Sequence, residues 1–206
     1  MKVKYMTEWL NNIFDKETLQ DNLTFASLYI AVYEHMIDYV VSNLKSFLCH
    51  LEIRDGKEFY LETPIYKNEI KNRVVDDKGN KDITKSSFLW LVDNGAIEQK
   101  DYQCFLNSKA LRNKFAHELT YVIYQGVTET EIMLFFDMFK VYQKISNWYF
   151  INIEAEILGE ELPNNADLSQ VQTASNIIFE MILDVLYNGK SEEYKAMLES
   201  IINKND

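Results

Sequence analysis

The sequence predicts an all-α fold, and three observations carry that expectation. Six glycines and two prolines are the only strong breakers in 206 residues, so long helices meet few interruptions. Leu, Ile, Met, Phe and Tyr recur at helical period over several long segments. The turn-forming clusters fall between those segments, not inside them. Tyr5 to Asp15 forms a short helix with Trp9, Leu10, Ile13 and Phe14 on one side. A long core helix follows from about Asp21 to Leu51, capped by Asp21 or Asn22. Its stripe includes Phe25, Leu28, Tyr29, Val32, Met36, Tyr39, Val40, Leu44 and Phe47.

The least regular part runs over about 53–84, an irregular insertion between core helices. Asp55-Gly56 stands between two strand-like runs and is placed to turn a small hairpin. Asp77-Lys78-Gly79-Asn80 is a second turn signal, and Ile65 to Val74 between them suits helix or extended chain. Helix resumes over Ser86–Val92 and stops at Asn94-Gly95, a C-terminal cap with Ile97 available for its apolar contact. The next helix spans about Gln99 to Tyr124 and ends at Gly126. An aromatic-rich helix covers Thr128 to Ile157, with Phe135, Phe136, Phe139, Tyr142, Trp148 and Tyr149; at helical spacing these are core or interface before they are base-stacking groups. Gly159 to Asp167 is the clearest linker. A C-terminal helical extension, about Leu168–Tyr187 and Glu192–Asn203, completes the chain.

Composition narrows the function classes. The net charge of −11 argues against a general nucleic-acid coat protein, because phosphate binding is driven by cationic surface. The charge is uneven: residues 126–206 hold 14 acidic and 5 basic side chains, leaving 18 acidic and 16 basic for residues 1–125. A solvated face accounts for the C-terminal excess, and shielding of the site is its functional alternative. Cys49 and Cys104 form no disulfide framework and lie outside zinc-ligand spacings, so two reduced, buried thiols are expected. No metal site and no cofactor is indicated. Phe25 to Val41, the most apolar stretch, is interrupted by Glu34, His35 and Asp38, which rules against a membrane span. With no signal-peptide pattern in the first 14 residues, a cytoplasmic protein is expected.

The residues that carry chemistry lie in Arg112-Asn113-Lys114-Phe115-Ala116-His117. On a helix Asn113 and His117 share a face, while Arg112 and His117 lie about 140° apart around the axis. Phe115, Leu119 and Val122 fall on another side and would anchor the helix. Lys109, Arg112 and Lys114 make a small positive island. Glu34, His35 and Asp38 line the polar edge of the long helix, with pairing to Arg112 or orientation of His117 as the alternative. His50 beside Cys49 is incidental.

This Arg-Asn-x-x-x-His pattern resembles the signature of the HEPN superfamily (higher eukaryotes and prokaryotes nucleotide-binding domains), and the run from Ser87 to Ile97 with Asp101-Tyr102 is similar to helical HEPN-like families, mannitol-operon-repressor-like proteins included. The resemblance covers about residues 20–158. It implies a HEPN-like helical bundle over 1–158, with the insertion at about 53–84 and the extension at 159–206. It also implies a metal-independent endoribonuclease of the toxin or phage-defence type. In that reading His117 is the general acid/base, Arg112 stabilises the transition state, and Asn113 orients His117 or a phosphate oxygen. Lys109 and Lys114 would contact RNA.

The chemistry fits those residue types. Attack of a ribose 2′-hydroxyl on its own phosphate needs one group to take a proton and another to give one, and histidine serves either role. A forked guanidinium suits the charge on the phosphorane oxygens. One histidine per chain makes a homodimer attractive, and the resemblance implies a composite site at a two-fold interface. An antitoxin or other regulatory protein is a further implied partner. In the HEPN toxins paired with minimal nucleotidyltransferases a tyrosine commonly follows two residues after the histidine; here that position is Leu119 and the nearest tyrosine is Tyr121. The alternative is a non-catalytic HEPN-like dimeric regulatory or protein-interaction module, since fold does not fix function.

Overall fold

The computed structural model describes residues 9–155 and 173–188. Contacts divide the chain into two units, Met1–Ile145 and Ser146–Asp206. The described residues are mainly helical, with one two-stranded sheet.

In the first unit residues 9–14 are helical. The long helix α1 spans Lys16–Leu48. It starts earlier than Asp21 because Asp15 caps it, its carboxylate accepting from the Thr18 N–H at 2.8 Å. Asn22 is not a cap. Its side-chain oxygen accepts from the Val127 N–H at 3.0 Å, tying α1 to a distant loop. The helix also ends earlier than Leu51. Cys49 turns extended at φ −112°, ψ 160° and opens a hairpin of β1 (Cys49–Arg54) and β2 (Lys57–Glu62). The turn is the expected Asp55-Gly56. Both residues have positive φ, 52° and 72°, as a two-residue turn matched to strand twist requires.

A single helical turn, α2 (Pro64–Tyr66), is capped by Thr63 and continues as a π-type turn over Lys67–Lys71. The Asp77–Asn80 turn forms around Asp76, whose carboxylate accepts from the backbone N–H groups of Lys78 and Asn80 at 2.9 and 2.8 Å. Helix α3 (Ile83–Asp93) is capped by Asp82. It closes as expected at Asn94-Gly95: the Gly95 N–H donates to Val92 and the Ala96 N–H to Leu91. That pair of bonds needs the left-handed φ of 72° that Gly95 adopts.

The motif helix departs from expectation. It is two helices, α4 (Gln99–His117) and α5 (Leu119–Gln125), with Glu118 non-helical at φ −124°, ψ 49°. No Gly or Pro lies between Arg112 and Gln125, so tertiary packing sets the break. Val122 becomes fully buried while Leu119, on the same face of an unbroken helix, turns outward at 49% exposure. Helix α6 (Glu129–Tyr149) follows.

The core of this unit is aromatic where α1, α4 and α6 meet. The Tyr29 and Phe115 rings meet edge to face at 5.3 Å, and Phe25 packs on Phe135 at 5.5 Å. A second contact stacks Phe88 of α3 on Phe105 of α4 at 3.9 Å. The motif helix is therefore pinned on two sides, and its remaining face carries Asn113 and His117.

In the second unit a π-type turn, Phe150–Glu154, extends α6, and α7 spans Ala174–Asn188. Asn176 donates to the Ser146 hydroxyl at 2.9 Å, both side chains buried. The Gly159–Asp167 linker, the 158/159 boundary and the Glu192–Asn203 helix lie outside the described residues. Among the described residues no helix is long and apolar enough to cross a membrane. Cys49 is buried and Cys104 partly so, and both are free thiols.

Candidate functional site

His117 is the last residue of α4 and is exposed. Its ring has no hydrogen-bond partner among the described residues. The break at Glu118 thus leaves the imidazole at a helix end, where solvent or a ligand reaches it.

Arg112 is fixed from three directions. Its guanidinium forms an ion pair with Glu34 of α1. Its Nη1 donates to the Asn113 side-chain oxygen at 3.0 Å. Its carbon centre lies 6.0 Å from the Tyr33 ring. Glu34 therefore does not simply line the polar edge of α1; the alternative pairing with Arg112 is the one present. Because the Asn113 oxygen is engaged by Arg112, the two amide N–H groups are the side chain's remaining donors. That composition suits an acceptor such as a phosphate oxygen. Among the described residues the Arg112 Nε meets no acceptor.

The two lysines are also paired. Lys109 reaches Asp82 at 3.1 Å. Lys114 lies 3.4 Å from Glu131 and 3.3 Å from the centre of the Tyr121 ring. Burial would lower the Lys114 pKa, but the Tyr121 hydroxyl and the Glu131 carboxylate outweigh it and hold the pKa above its ordinary value. Glu131 is itself positioned by the start of α6, accepting from the Thr128 N–H at 2.9 Å. The positive island of the sequence is thus matched, cation by cation, to Asp82, Glu34 and Glu131. Of these acids only Glu34 carried a signal in the sequence; nothing local marks the other two as neighbours of α4.

His35 faces away from this cluster. Its Nε2 lies 3.0 Å from the Tyr142 hydroxyl, and the two rings meet edge to face. Burial pushes its pKa down, with the Asp38 carboxylate opposing. A histidine with a depressed folded pKa resists protonation while the unfolded chain accepts it. The associated stability is present above the ordinary value of 6.5 and is lost as pH falls through the folded pKa. The melting temperature of wild type is expected to drop more steeply below that pH than that of His35→Gln; parallel curves would count against it. His50 is exposed on β1.

Among the described residues no group of three or more His, Cys, Asp or Glu side chains is arranged to hold a metal ion. No family model, no curated protein and no solved structure matches the chain.

Proposed function

We propose that the chain is a metal-independent endoribonuclease of the HEPN type, acting as a homodimer that brings two copies of Arg112, Asn113 and His117 to one RNA strand. The observation that carries this reading is the contrast within the motif. His117 stands exposed at a helix end with no hydrogen-bond partner among the described residues, while Arg112 five residues earlier is held by Glu34, Asn113 and Tyr33.

In the reaction the ribose 2′-oxygen bonds to phosphorus and the bond from phosphorus to the 5′-oxygen breaks. One His117 accepts the 2′-hydroxyl proton and the partner's His117 protonates the departing 5′-oxygen. The products are a 2′,3′-cyclic phosphate and a 5′-hydroxyl. Arg112 bears the charge that builds on the non-bridging oxygens, and the Asn113 amide donates to one of them. Glu34 is a positioning residue that sets the direction of the guanidinium.

The pairing of Lys109, Arg112 and Lys114 with carboxylates favours a second reading, a non-catalytic dimeric module in which the motif serves helix packing. Sedimentation of the full chain together with incubation with end-labelled RNA separates the two. The nuclease reading expects a dimer that cleaves; a dimer inert toward every RNA offered supports the module.

A further inference from the structure

We propose that the insertion and the start of α3 form a phosphate track that holds RNA beside the motif; the inference rests on the ribonuclease reading above. The insertion ends at a cleft of about 670 Å³ whose lining includes Lys81, Asp82, Lys85 and Lys109. Three lysines from two distant segments converge there, although the chain as a whole carries −11.

Asp82 bridges the lysines without cancelling them. Its carboxylate lies 3.1 Å from Lys109 and 4.0 Å from Lys85, and it also accepts the Lys85 backbone N–H at 2.9 Å. The helix start is therefore occupied by its own cap, and an incoming anion meets side-chain ammonium groups instead. Lys81 is exposed. Asp76 also lines the cleft, with its oxygens turned to the N–H groups of its own loop.

The position of Lys109 joins the cleft to the motif, and RNA is the occupant that the ribonuclease reading supplies. Lys109 and Arg112 are three residues apart on α4, so they share a face about 4.5 Å apart along the axis. A strand whose phosphate meets Arg112 continues directly toward the cleft.

The test uses the full chain carrying His117→Ala, so that RNA is bound and not cut, and follows anisotropy of a labelled single-stranded RNA against salt. Adding Lys81→Gln with Lys85→Gln is expected to weaken binding about tenfold and to reduce the salt slope by about 0.7 for each phosphate that is no longer neutralised. Lys81→Arg with Lys85→Arg should restore both. Unchanged affinity and slope in the glutamine variant overturn the track, as does a parent that binds no RNA or releases it equally to polyglutamate. Failure here and failure of the nuclease reading are distinguishable. Wild type that cleaves RNA regardless of these lysines keeps the nuclease and loses the track. Protein that binds through them and never cleaves does the reverse.

Discussion

His117→Ala is expected to lower RNA cleavage by about 10²–10⁴-fold, the range for removing a general acid or base. The folded structure should be unaffected, because the imidazole is exposed at the end of α4 and packs into no core. Circular dichroism and melting temperature should match wild type within the scatter of a surface substitution, about ±0.5 kcal/mol. A composite site sharpens the expectation, since one substitution per chain removes both proton-transfer groups. The same contrast is expected in growth: wild type should be hard to express and the variant tolerated. A variant that cleaves as fast as wild type would remove His117 from the mechanism.

Arg112→Ala is expected to cost about 10²–10³-fold in kcat, as loss of an oxyanion-stabilising donor does. Arg112→Lys should recover little of it. A lysine ammonium lacks the planar fork that meets a phosphorane with two parallel hydrogen bonds, and it would also lose the geometry set by Glu34 and Asn113. Glu34→Gln keeps the arginine and removes only its partner's charge, so kcat should fall less than in Arg112→Ala while KM stays near wild type. That split marks a positioning role, because a residue that mattered only for stability would move the melting temperature and leave the kinetics of the folded fraction alone. Equal activity of the lysine and arginine forms would contradict the assigned role.

Much of the helical architecture was legible from local chemistry. The stripe from Phe25 to Leu44 marked the core helix, and Asn94-Gly95 marked the stop of α3 because only that conformation completes the two closing hydrogen bonds. Asp55-Gly56 likewise turned the hairpin for a reason contained in two residues. Boundaries were less legible where competing signals stood close together. Asp15 and Asp21 are both good cap residues; Asp15 is the one that caps, while Asn22 bonds to Val127, more than a hundred residues away.

The break after His117 had no local sign, since the residues around it are compatible with continuous helix. It follows from burying Val122 at the expense of Leu119. At the candidate site, the residue types of the motif were readable and their surroundings were not. Lys109, Arg112 and Lys114 read along the chain as a run of positive charge; folding brings Asp82, Glu34 and Glu131 against them from three other segments.

Those pairings bear on how an acidic chain meets RNA. Each cation near the motif already has a carboxylate neighbour, so phosphate must compete with internal ion pairs that are partly exposed and individually weak. Binding should weaken as salt rises, with a slope of about 0.7 for each phosphate neutralised on a single strand.

The most direct measurement is the identity of the RNA ends produced by wild type in EDTA. The proposed mechanism predicts cleavage under those conditions with 2′,3′-cyclic phosphate and 5′-hydroxyl termini. Cleavage that appears only with a divalent cation, or that leaves 3′-hydroxyl termini, would contradict it.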